Sequence, residues 1–330
     1  MDLLACQLGA DPQGQVRVLA ALRATLREGA GDSYASTMSA REAVGFSADQ
    51  LSDLDRRFNF GTLQAHFPER GSRSLLRRIA WFGSALADVA CPTVGESRHE
   101  TMEMGALFNL AVALFDSVVD GRPRLKRSLF RALEVPKMVA RLRGPNDEAT
   151  RIRSAEHPLA PLCMLFDAVL RSLGQRYAGS NSRLSDIERQ LERMHSSETL
   201  PGRKRIEAKC LPVTFVCQAS DTHAPMSVRK LYIELGRLLA LLDDWRDIAD
   251  DVRAGRANQF ICSYDFGGPH MMNYALGVMS GLLRGTARGA EAFERELVPL
   301  LGTILDLARH LPSLRSQKLQ WLLGQLLGPT

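Results

Sequence analysis

Five aspartates fall within nine residues in the stretch LLDDWRDIADD: Asp243, Asp244, Asp247, Asp250 and Asp251. Carboxylates crowded this closely on a helix repel one another unless a cation neutralises them. No Cys or His stands among them, so the donor set is oxygen alone and suits a hard cation, Mg²⁺ before any other. A second acidic pair, Asp116 and Asp120, lies far upstream in FDSVVD. Two such helices, antiparallel and facing, would hold metal ions around a diphosphate.

The spacing supports that chemistry. Asp243, Asp247 and Asp251 stand at i, i+4, i+8 and drift by only about 80° around a helix, a ladder of three carboxylates. Asp250 lies close to the same stripe. Asp244 is about 100° away and either supports the ladder from behind or faces solvent. Upstream the stripe continues through Gly236 and Tyr232. On the other helix Asp116 and Asp120 lie within about 40° of each other. Their stripe runs back through Ala113, Asn109, Gly105 and Met102, with Leu107, Leu114 and Val118 on other faces. Small residues above each acid set leave room for something other than side chain. Acids at a helix C-terminus also oppose the macrodipole, so they need a reason beyond helix formation. With Met102 and Tyr232 as a floor, the stripes are roughly 17–21 Å deep at the helical rise. That depth fits a folded chain of fifteen to twenty carbons, twenty being favoured.

The elements that must position these acids read as helices almost throughout. Apolar residues recur at i, i+3, i+4, and period-two segments are nearly absent. The pattern predicts helices over 13–28, 72–89, 96–120, 125–142, 157–177, 183–197, 203–219 with Pro212 inside, 227–253, 270–283, 290–311 and 313–327. Gly144, Pro145, Asn146 and Asp147 predict a loop. No linker divides the chain, so a single all-α domain spanning residues 1–330, a bundle of ten or more helices, is expected. Apolar residues make up 45% of it, enough for a large core.

Other features exclude alternatives. A net charge of +5 over 330 residues is diffuse. No segment interleaves Lys or Arg with aromatics, and no nucleic-acid partner is expected. The six cysteines form no CxxC pair and the seven histidines no HxxxH pair, which argues against zinc. The first residues turn polar too early for a secretory leader. Reduced thiols and a cytoplasmic location are therefore expected. No uninterrupted apolar run approaches the ~18 residues of a membrane span. DFGG at Asp265–Gly268 lacks the Gly-rich loop and strands of a kinase. In the last predicted helix Leu319, Leu322, Leu323 and Leu326 form one stripe. That stripe caps the bundle, seals a homodimer or rests peripherally on a membrane surface.

The acidic segments resemble those of the class I isoprenoid synthase superfamily, which includes trans-prenyl diphosphate synthases, squalene and phytoene synthases and class I terpene cyclases. FDSVVD is similar to the first motif, in the DxxxD form of the squalene and phytoene synthase branch. LLDDWRDIADD is similar to the second, with Asp243, Asp247 and Asp251 where terpene cyclases carry Asn, Ser and Glu. The longer run GRLLALLDDWRDIADDVRAGRAN also resembles the second-motif region of bacterial large-terpene synthases. The resemblance covers residues 101–258. It implies one antiparallel helical bundle around a deep apolar cavity, with three Mg²⁺ at its mouth held by Asp116, Asp120, Asp243, Asp247 and Asp251. It further implies a class I terpene synthase, a carbon–oxygen lyase that ionises a linear prenyl diphosphate, cyclises the carbocation and releases diphosphate. Prenyl transfer, chain-elongating or head-to-head, is the neighbouring alternative, and a helical protein that binds prenyl diphosphates without catalysis is a third.

Lys209 is the first candidate for gripping the diphosphate; with Cys210 it is similar to a Lys-Thr pair upstream of the second motif in prenyl synthases. Arg256, after the second motif, is the next. Arg203, Lys204, Arg315 and Lys318 are further cations. Phe108, Phe115, Phe166, Phe215, Tyr232 and Trp81, with Asn109 and Gly236, are the candidate pocket wall, since aromatic faces attract a carbocation.

Overall fold

The structure is a computed structural model that describes residues 12–30, 44–68, 71–93, 95–197, 208–254 and 287–327. The expected helix over 270–283, together with Arg203, Lys204, Arg256, Cys6 and Cys262, lies outside the described residues. Among those described there is no strand, and the fold is all-α. The chain groups into two compact units. One comprises Arg41–Ser196 and Phe215–Ala224; the other comprises Met1–Ala40, Ser197–Thr214 and Pro225–Thr330. The first carries Asp116 and Asp120, the second Asp243, Asp247 and Asp251.

The first unit begins with α2 (Ala48–Phe58) and α3 (Phe60–His66); α1 belongs to the other unit. Ser47 caps α2 in a full capping box with Gln50, and Asn59 takes a left-handed conformation to turn directly into α3. Next come α4 (Arg73–Ala90) and α5 (Glu96–Gly121), then α6 (Pro123–Ala132) and α7 (Val135–Arg143). A single helix was expected over 125–142. It breaks at Leu133–Glu134 because Pro136 lies in the first turn of α7 and cannot donate back into α6. Helices α8 (Ala160–Arg176), α9 (Asn181–Ser197) and the later part of α10 (Leu211–Ser220) complete the unit.

Its centre is the crossing of α4 and α5. A Cβ on Gly105 would stand 2.4 Å from the Gly83 carbonyl oxygen, and one on Gly83 would stand 2.2 Å from that of Gly105. The two backbones touch, and only glycine at both positions permits it. Asn109, one turn on, donates from Nδ2 to the Ile79 carbonyl at 2.7 Å and clamps the crossing. Buried carboxylates secure the surroundings. Asp88 accepts from Arg98 Nε at 2.6 Å and from the Gly45 amide at 3.0 Å. Asp55 accepts from both Arg73 and Arg77. Burial alone would raise the Asp55 pKa, but these guanidinium partners hold it below the ordinary carboxylate range. The Glu96–Val119 part of α5 is long and apolar enough to cross a bilayer by length and composition, but it is 67% buried against its neighbours, as a core helix is.

The second unit packs α1 (Pro12–Ala30) against α12 (Ala287–Ala308) and α13 (Ser313–Leu327), and α12 against α11 (Met226–Ala254). Arg23 reaches the end of α13, donating to the Leu327 carbonyl at 2.7 Å. Leu319 and Leu322 are fully buried and Leu323 nearly so, which spends the C-terminal leucine stripe on this unit's own core. Pro212 falls in the first turn of α10 rather than inside a longer helix. The described cysteines Cys91, Cys163, Cys210 and Cys217 are free thiols. Burial, helped by the Asp167 charge, pushes Cys163 up to about 12 and leaves it inert.

Two glycine substitutions should therefore move stability in opposite directions. Gly105→Ala forces the α4–α5 crossing apart and is expected to cost about 1–3 kcal/mol or more. Gly302→Ala, in mid-helix with nothing within 4 Å of the new Cβ, is expected to add about 0.5–1 kcal/mol. Thermal melting of both variants checks the pair.

Candidate active site

On α5 the acid-bearing stripe runs from solvent into the core. Asp116 is exposed, Ala113 and Asn109 are half-buried, and Gly105 and Met102 are buried. The side chain of Asp120 lies outside the described residues. The small residues of this stripe do not leave open space, as the sequence suggested. The backbone of α4 fills the place beside Gly105, and the Asn109 amide is engaged by Ile79.

On α11 the same pattern recurs. Asp243 is exposed, while Gly236 and Tyr232 are buried. A Cβ on Gly236 would lie 2.7 Å from the Cys210 carbonyl oxygen and 2.9 Å from Thr214 Oγ1, so this glycine also serves a close helix approach. The Tyr232 hydroxyl accepts from Arg315, and Lys318 is buried. Those two cations of α13 thus belong to the packing of this unit. The side chains of Asp247, Asp250 and Asp251 lie outside the described residues.

Asp243 and Asp244 are adjacent but separated by about 100° around the helix, which sends one outward and the other inward. Asp244 is 1% exposed and forms an ion pair with Lys209, whose own side chain is 34% exposed. Of the two roles open to Asp244, support from behind the ladder is the one its burial matches. Lys209, the first candidate for gripping diphosphate, is the partner of Asp244 in this pair. Nothing in the local spacing signals the pairing, because Lys209 lies in the turn before α10 and Asp244 on α11.

The aromatic candidates in the first unit cluster. Phe108 and Phe215 stack with ring centroids 4.5 Å apart, and Phe115 meets Phe130 and Phe166 edge-on at 5.8 and 6.5 Å. Trp81 is half-buried on α4. Among the described residues no group of three or more His, Cys, Asp or Glu comes together to hold a metal. Asp116 and Asp243 are exposed carboxylates in the later halves of their helices. Their oxygen-only chemistry fits a hard divalent cation.

Compared with protein-family models, characterised proteins and solved structures, the chain matches none.

The Lys209–Asp244 pair makes a prediction of its own. Lys209→Met removes the cation paired with a buried carboxylate and is expected to lower stability by about 1–3 kcal/mol. Adding Asp244→Leu should restore much of that loss. Chemical denaturation of the single and double variants measures it. An unchanged Lys209→Met midpoint would show that the pair contributes nothing to stability.

Proposed function

We propose that this chain is a Mg²⁺-dependent class I terpene synthase that ionises a linear prenyl diphosphate and cyclises the resulting carbocation. The observation that carries the reading is the double acidic pattern. Asp116 on α5 and Asp243 on α11 are both exposed, and each heads a stripe that runs back to buried residues. Carboxylates stacked along one helix face repel one another, and a bound cation relieves that repulsion. In this proposal Asp116, Asp120, Asp243, Asp247 and Asp251 are the metal ligands. When bound, the metal ions neutralise the charge that develops on departing diphosphate. The protein's own part is to fix those carboxylates on rigid helices and to keep the cation away from water. The stacked pair Phe108 and Phe215 and the cluster around Phe115 are the aromatic faces proposed to steady it. Lys209 and then Arg256 are the residues proposed to grip the diphosphate.

Asp116→Ala and Asp243→Ala are each expected to abolish diphosphate release while leaving helical circular dichroism unchanged, since removing a repelling acid does not harm packing. Near-normal turnover in either variant would contradict the metal assignment. Substrate length is tested separately. Parallel incubation with geranyl, farnesyl, geranylgeranyl and geranylfarnesyl diphosphates, with and without isopentenyl diphosphate, should give cyclic products, best from the twenty-carbon chain. Elongation that occurs only with isopentenyl diphosphate present would identify a prenyltransferase instead.

A further inference from the structure

The segment Arg122–Leu133 carries five cations, Arg122, Arg124, Lys126, Arg127 and Arg131, and no acid. The structure sorts them. Arg122 donates to the His66 carbonyl at 2.6 Å and lies over the Phe67 ring. Lys126 sits over Phe130. The remaining three, Arg124, Arg127 and Arg131, stand at i, i+3, i+7 on α6, within about 60° of one another. All three are exposed. The opposite face of α6 is fixed in the core through Leu129 and Ala132. Cations on the next helix and just beyond it are neutralised within the fold: Lys137 by Glu134, Arg141 by Asp167 and Arg143 by Glu188. Glu156 reaches only the flank of α6, accepting from Ser128 at 3.4 Å. Among the described residues no ion pair forms on the three stripe arginines. The stripe is thus a permanent concentration of positive charge on a chain whose net charge is otherwise spread thinly.

We propose that this Arg124–Arg127–Arg131 stripe docks the protein on an anionic phospholipid surface. A single helix of convex surface, anchored by its apolar side and showing only charge, matches a plane of headgroups, which needs no groove and no insertion. Nucleic acid is the less suited partner. Base recognition wants aromatic or amide side chains beside the cations. Yet α6 has no Asn or Gln, and its Phe130 is half-buried against Phe115. The inference is independent of the enzymatic proposal and stands or falls without it.

The test is sedimentation of the full chain with phosphatidylcholine vesicles, with and without phosphatidylserine. Binding is expected only with phosphatidylserine, and it should fade at high ionic strength. The triple variant Arg124→Gln/Arg127→Gln/Arg131→Gln is expected to bind roughly a hundredfold more weakly, at about fivefold per cation. Its lysine counterpart, Arg124→Lys/Arg127→Lys/Arg131→Lys, keeps the charge and should keep the binding. The variant Arg56→Gln/Arg189→Gln/Arg309→Gln removes the same charge from exposed helix faces elsewhere and should bind nearly as wild type. Failure of wild type to bind phosphatidylserine vesicles, or equal losses in the two glutamine triples, would overturn the proposal. So would stripe-dependent binding to an oligonucleotide that displaces the vesicles.

Discussion

Backbone meets backbone where Gly83 of α4 crosses Gly105 of α5, and the first unit is organised about that point. A side chain on either residue would drive into the opposite carbonyl. Helices this close bury their facing surfaces completely and gain dispersion along their length, but only in one register. Asn109 then locks the register with a hydrogen bond to Ile79. Asp116 stands eleven residues beyond Gly105, or about 16 Å along the same helix. Its position is therefore set by a crossing that tolerates little slippage. Gly236 does the same for α11, seven residues before Asp243, where it admits Cys210 and Thr214. In both units a glycine contact fixes the helix that ends in acids.

The electrostatics follow a related division. Buried carboxylates each receive dedicated cations: Asp55 from Arg73 and Arg77, Asp88 from Arg98, Asp167 from Arg141, Asp244 from Lys209. Taking such charges out of water costs more than a surface pair returns, so these pairs specify the arrangement of helices more than they stabilise it. Asp116 and Asp243 are different. They are exposed to solvent, where a charge costs little to maintain.

Much of the helix pattern was legible in the sequence because it depends on local periodicity. Helix α5 begins at the expected residue, and α13 has the expected bounds. The pair α2 and α3 was missed, although the capping box of Ser47 and Gln50 announced it. The break at Pro136 was missed because the apolar stripe runs on across it. The roles of the glycines were misread for a deeper reason. A small residue on a buried face signals close approach, and sequence cannot say whether a ligand or another backbone approaches. Gly105 and Gly236 proved to admit backbone. The Lys209–Asp244 ion pair was not legible either, because it joins a turn residue to a helix thirty-five residues on and leaves no local signal.

The central claim is that Asp116 and Asp243 both serve Mg²⁺-dependent binding of diphosphate. Calorimetric titration of inorganic diphosphate into the full chain in the presence of Mg²⁺ tests it most directly. The account predicts binding that disappears without Mg²⁺ and is lost in Asp116→Ala and in Asp243→Ala alike. Binding that needs no metal, or that survives in either variant, would contradict it.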